Sequence, residues 1–328
     1  MAAKKQKLKP DTILKNYWAN NEQFADLFNA VLFKGKQLIK PEELEDVDTE
    51  ESSILEHKDY AESLSASRDN IKIQKRSTEY GIELVLLGLE SQQHIHYAMP
   101  MRVMGYDYGA YKKQYESNAA KYKTSEGLTE DEYLSRMKRT DKLIPTITVV
   151  IYYGEDEWDG ATSLHEMLNI PPEIKDYVND YKMRLIEARK NDLVFHNINN
   201  QDLFNLLKIL LNKKDGAAAA KRAAVEYTNT HTVDKAVVMT AAGATNCKID
   251  YDAMAKKGEV DMCTVFEVER AEGMAEGIAK GKAEGRAEEI IKTGFEFNME
   301  TKEIINRLQT KLDISSEKAW EYFNIFKE

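Results

Sequence analysis

The chain is poor in the features that mark several common protein classes. Of its 328 residues only two are cysteine, Cys247 and Cys263, sixteen positions apart and with no CxxC pair. Neither a disulfide framework nor a zinc ribbon is therefore indicated, and both read as reduced thiols. Long apolar runs are missing: nothing approaches the roughly 20 residues of a membrane-spanning helix. The opening MAAKKQKLKP leads into DTILKNYW rather than an apolar signal core, so a cytoplasmic protein with no membrane partner is expected. The six histidines lack HExxH or HxxxH spacing; only His94 and His96 would share a strand face, a weak metal candidate beside their plainer role as strand residues. Positive charge is short as well. A net charge of -10 argues against gripping nucleic acid by bulk electrostatics alone.

What is present suits a folded protein in water: 42% hydrophobic and 31% charged residues exclude wholesale disorder. The length exceeds the roughly 100 to 200 residues of one domain, so a sizeable domain with smaller appendages is expected. Charge is unevenly spread. From Lys4 to Lys40, eight lysines face Asp11, Glu22 and Asp26, whereas Glu42 to Glu51 reads EELEDVDTEE. Such a basic arm and acidic loop would help place a phosphate backbone, or are simply solvated.

Apolar residues at Ile13, Leu14, Tyr17 and Trp18, then Phe24, Leu27, Phe28, Val31 and Leu32, have helical spacing with a break near Asn20-Asn21. Ile71 and Ile73 alternate with polar neighbours, and after Tyr80-Gly81 the run Ile82 to Leu89 reads as a strand buried on both faces. Pro100 is placed to start a helix, with Met101, Met104, Tyr108, Tyr111 and Tyr115 as a mostly core-facing stripe. PTITVVIYY at 145–153 reads as another strand. Helices are expected around Leu164 to Leu168, Ile174 to Ala188 and Asp202 to Leu211. Together these give a mixed α/β domain over 1–214. An alanine-rich connector is expected over 215–264, and a helical tail over 265–328. Gly273, Gly277, Gly281 and Gly285 recur every fourth residue in that tail. Each costs a helix about 1 kcal/mol relative to alanine, so close approach of another helix is expected, through self-association or packing of the tail. A terminal helix pair joined at Asp313 to Ser316 completes it.

The strand ending GLESQ poses the chemical question. Period-two alternation puts Glu90 and Gln92 on one face, and a carboxylate at the end of a buried strand is costly unless it is paired or binds a cation. Antiparallel pairing across Gly81 would bring Asp69 toward Glu90. Two carboxylates, the Ser91 carbonyl and waters are a set that suits Mg²⁺. The alternative is an ion pair of Glu90 with Arg68 or Arg102.

DTILKNYW, FADLFNAVLF, SRDNIK at 67–72, LLGLESQQHIHYAMPMRVMGYDYGAY at 86–111 and PTITVVIYYGEDEWDG at 145–160 carry a resemblance over about the first 210 residues. The chain resembles the Rpn family of recombination-promoting nucleases, also described as PD-(D/E)XK nuclease family transposases. That resemblance implies a restriction-endonuclease-like core, a central mixed sheet flanked by helices, with metal-binding acids on adjacent strands. It implies Asp69 and Glu90 as catalytic metal ligands for Mg²⁺, and Gln92 where the wider superfamily usually carries lysine. Glutamine can orient a water but brings no positive charge to the transition state; Lys72 is the candidate to compensate. Asp11 and Lys15 match a weaker motif in the first helix and are additional site candidates. Arg68 and Arg102 are candidates for contacting DNA, Arg102 with an acidic neighbour such as Asp107 as its other partner. Tyr106, Tyr108 and Tyr111 offer a stacking platform or pack in the core. The implied activity is Mg²⁺-dependent DNA endonuclease, in recombination or against mobile DNA. The alternative is a noncatalytic nucleic-acid-binding or assembly protein on the same fold. A transposase of the three-acid kind is disfavoured, because no third acid is assigned.

Overall fold

The structure, a computed structural model, describes residues 9–46, 50–54, 63–67, 70–78, 81–123, 127–190, 192–214 and 216–327. It divides into two compact units, Met1–Cys263 and Thr264–Glu328.

In the first unit, α1 (Pro10–Ala19) has proline in its first turn, where a missing N–H costs nothing. The helix stops at Asn20, where the sequence places the break. The Asn20 side chain accepts from the Glu22 N–H and so starts α2 (Asn21–Phe33). Next come β1 (Leu44–Asp46), β2 (Glu50–Ile54), β3 (Ser63–Ser67), β4 (Asn70–Thr78) and β5 (Gly81–Gln92). They are followed by α3 (Met99–Tyr122), α4 (Glu130–Ser135), β6 (Thr146–Tyr152), α5 (Leu164–Met167) and β7 (Arg184–Glu187). Helices α6 (Ile198–Leu211), α7 (Ala217–Thr230), α8 (Lys235–Ala244) and α9 (Tyr251–Lys256) complete the series.

The chain is mixed α/β. One sheet has the order β1-β4-β5-β6-β7, and β2 and β3 form a separate pair. The β1/β4 and β4/β5 ladders are antiparallel, while β5/β6 and β6/β7 are parallel. The parallel step from β5 to β6 is made through α3, as parallel strands require a long crossover. Helices cover both faces. On one, Asn70 Nδ2 donates to the Lys15 carbonyl and Lys72 Nζ to the Ala19 carbonyl, so α1 and its junction with α2 lie there. On the other, Val150 packs with Met99, Val103 and Tyr106 of α3.

Three expectations are corrected. The helix expected around Ile174 to Ala188 is a short 3-10 turn, Pro172–Tyr177, followed by β7. Leu185 and Ile186 gain ladder partners in Val150 and Ile151, and that tertiary pairing overrides a helix-like spacing. The α3 stripe is misplaced: Met101 and Tyr108 are 51% and 54% exposed. The buried face is Met99, Val103, Tyr106, Asp107 and Ala110. The stretch expected as a connector holds α7, α8 and α9. In α8, Val237, Val238, Ala241 and Ala242 are fully buried, because small side chains let α8 approach α1 closely; a Cβ added at Gly243 would lie 3.4 Å from the Pro10 carbonyl oxygen.

The second unit is formed by α10 (Met262–Glu296) from Thr264 onward, α11 (Thr301–Leu312) and α12 (Ser316–Phe326). Its core joins Ala287, Ile291, Ile304, Ile305, Leu308, Ala319, Tyr322 and Phe323. The expected joint is present, with the Ser315 side chain accepting from the Lys318 N–H as a helix cap. A Cβ added at Gly273, Gly277, Gly281 or Gly285 would meet open space, so the expected close helix approach is not made at these glycines within the described chain.

Candidate active site

The site is organised by β5. Its ladder with β4 pairs Ile73 with Leu86, Ile71 with Gly88 and Asn70 with Leu89. Its ladder with β6 pairs Glu90 with Val150 and Gln92 with Tyr152, and β6 in turn pairs Tyr152 with Glu187 of β7. Paired residues share a face and successive residues alternate. Positions 90 and 92 therefore lie with Val150, Tyr152 and Glu187 on the α3 side. Leu89, Ser91, Asn70 and Lys72 lie on the α1 side.

Asp69 and Arg68 are outside the described residues. Glu90 is located by its place on β5. Gln92 is half-buried at the end of that strand, its carbonyl accepting from the Tyr153 N–H at 2.8 Å. Arg102, on α3, lies on the same side as Gln92; its Nη2 donates to the Tyr106 hydroxyl at 2.6 Å and its guanidinium sits 5.7 Å from that ring's centre. Tyr106 is buried, Tyr111 is half-buried and Tyr108 is exposed, so the three do not form one platform. The Tyr111 hydroxyl accepts from the Thr146 N–H, which ties that ring to the start of β6.

Lys72 does not share a side of the sheet with Gln92. Its register partner is Leu87, and its side chain is fully buried on the α1 side. The ammonium lies 2.5 Å from Asp46 Oδ1 and 2.8 Å from the Ala19 carbonyl oxygen, with the Phe24 ring centre 5.5 Å away. The strand's period of two decides this: an even-numbered residue on β4 faces away from an even-numbered residue on β5. Asp11 and Lys15 form an i,i+4 ion pair of 3.7 Å on α1, whose Lys15 carbonyl accepts from Asn70 on the Lys72 side of the sheet. His94 is exposed. His96 is half-buried, and its Nδ1 has no partner among the described residues.

Two acids on the α3 side have donors that the sequence does not indicate: Glu187, not named among the sequence candidates, and Asp107, named there only as a partner for Arg102. Glu187 accepts from the Trp158 N–H at 3.2 Å, Arg189 Nε at 3.4 Å and Lys190 Nζ at 2.7 Å. Burial alone would raise its carboxyl, but the Lys190 ammonium and the Trp158 N–H outweigh burial and hold it below the usual glutamate value. Asp107 is buried and accepts from Thr148 Oγ1 at 2.6 Å and from the Tyr181 hydroxyl. Both carboxylates are thus already supplied with donors. Glu187 is unreadable from sequence once β7 is taken for helix, and Asp107 once the buried stripe of α3 is set on the wrong residues.

No protein-family model, curated protein or solved structure matches this chain.

Proposed function

We propose that the first unit is a Mg²⁺-dependent DNA endonuclease with a restriction-endonuclease-like core, acting in DNA recombination or on mobile DNA in the cytoplasm. The observation that carries this reading is the β4/β5 register. With Asn70 opposite Leu89, the start of β4 lies beside the stretch of β5 that leads into Glu90 and Gln92. Metal-binding acids on adjacent strands are what the sequence resemblance implies.

Magnesium suits the proposed donor set, because two carboxylates and a backbone carbonyl are hard oxygen ligands. Position 90 is on the central strand of the sheet. When bound, the ion would supply Lewis acidity, polarising a phosphate oxygen and making water nucleophilic near neutral pH. Asp69 and Glu90 would hold it. Gln92, half-buried two residues after Glu90, would orient the attacking water by hydrogen bonding. Arg102, aligned by the Tyr106 hydroxyl, would hold a backbone phosphate from the α3 side.

A second reading, a nucleic-acid-binding or assembly protein that keeps the fold without the chemistry, is favoured by one observation: Lys72 is committed to Asp46 on the opposite face. Self-association through the open glycine face of α10 is the accompanying partner proposal, tested by sizing the chain with and without its tail. Supercoiled plasmid incubated with Mg²⁺, with EDTA, and with the Asp69→Ala and Glu90→Ala variants separates the two readings. The nuclease reading expects nicking by the wild type with Mg²⁺ alone. Equal residual nicking by all three proteins would hand the assignment to the binding reading.

A further inference from the structure

The second unit contains a cleft that the proposed chemistry does not use. Two adjoining open hollows of about 470 and 660 Å³ lie along α10 and α11. Lys282 and Arg286 of α10 and Arg307 and Lys311 of α11 line them, and Glu289 is the one acid among the lining residues. This concentration runs against the unit's composition. Residues 264–328 carry ten Lys and Arg against fourteen Asp and Glu, so four of ten cations gather where one of fourteen acids does.

The ion pairs sharpen the contrast. Lys280, Lys292 and Lys318 are paired with Glu284, Glu288 and Glu321. Among the described residues, no carboxylate is in ion-pair contact with Lys282, Arg286, Arg307 or Lys311; the Arg307 Nη1 contact is to Met299 Sδ, at 3.3 Å. Lys282 and Arg286 are four residues apart, as are Arg307 and Lys311, so each pair spans about 6 Å along its helix. Like charges at that spacing repel, and the apolar floor of Ile290, Leu312 and Ile314 strengthens their field. The fold thus keeps a repulsive cluster that an anion would relieve. Two short rows of cations across an open groove suit a chain of single charges better than one enclosed phosphate, and arginine's planar fork matches phosphate oxygens in two bonds.

We propose that this cleft binds the backbone phosphates of DNA, holding the substrate outside the candidate active site. The choice of DNA as the polyanion rests on the nuclease reading; the presence of an anion site does not. The test is fluorescence anisotropy of the full chain with a labelled duplex in EDTA, over a salt series, so that binding is read without cleavage. Arg286→Ala combined with Lys311→Ala is expected to weaken binding about tenfold and to lower the log–log salt slope by about 2. Glu289→Gln, which removes the opposing charge without touching the cations, is expected to tighten it. Lys292→Ala with Lys302→Ala, the same charge change outside the cleft, is the control. The proposal is overturned if the cleft pair behaves like that control, if Glu289→Gln leaves the affinity unchanged, or if inorganic phosphate competes as well as duplex does at equal phosphate concentration. Failed plasmid cleavage alongside a normal cleft effect would sink the nuclease reading alone.

Discussion

Lys72 and Gln92 show how a single residue's place on the pleat limits its chemistry. A buried lysine with one carboxylate and one carbonyl partner is a structural group, and its removal should show as lost stability. Lys72→Met keeps the stem's volume but strands the Ala19 carbonyl, so it should cost about 1 to 3 kcal/mol in urea denaturation. Cleavage per folded molecule should be unchanged; a specific loss of turnover would mean that the ammonium reaches the reacting phosphate. Gln92→Ala should have the opposite profile, with stability near wild type and plasmid nicking slowed on the order of 100-fold through loss of water positioning. Glu187 adds a pH effect whose sign follows from its lowered carboxyl. Stability gained by favouring the charged form is complete above the usual glutamate value of about 4.3 and is lost as pH falls through the lower folded value. Thermal midpoints of the wild type should therefore drop more steeply below that pH than those of Glu187→Gln.

At the scale of elements, the glycines of α10 separate into two physical kinds. Gly281 is in open space, whereas a Cβ at Gly294 would come 2.6 Å from Ile304 Cγ1 in the core of the second unit. Gly281→Ala should thus stabilise the helix by about 1 kcal/mol. Gly294→Ala must overpack a closed site at about 1 to 3 kcal/mol, enough to cancel or exceed the same helical gain. Comparing their thermal midpoints checks this, and a Gly281→Ala variant less stable than wild type would point to a partner on the open face. Sequence periodicity could not separate the two, because it records spacing and not which glycine meets a neighbour. The same limit explains β7. Its four residues are strand only because β6 is beside them, while β5 announces itself by the largely apolar run from Ile82 to Leu89. Helix α1, its break at Asn20 and the α11/α12 joint were legible because caps and prolines act locally.

For the whole molecule, the alanine-rich stretch decides where one unit ends. Composition reads as a connector after 214, yet α7 to α9 belong to the first unit, which extends to Cys263; alanine there permits close packing. The mixed α/β class was legible, since the strand runs and capped helices carry it, whereas the order and direction of the strands were not. The candidate site was legible only as a strand end, because the side on which Lys72, Asp11 and Lys15 fall depends on register and helix placement across the sheet. The second unit's basic cleft is not legible in the sequence, because its four cations are spread over two helices that together carry eight Lys and Arg against nine Glu. Each unit has a core of its own, and the Met262 N–H donates to Thr228 Oγ1 within the first. A chain ending after Arg270 keeps that contact and should retain a cooperative thermal transition by circular dichroism. It should also bind duplex DNA in EDTA with a reduced salt slope, because the cleft is gone. Loss of the transition would show that the first unit needs the second to fold. An unchanged slope would mean that DNA is held by the first unit alone.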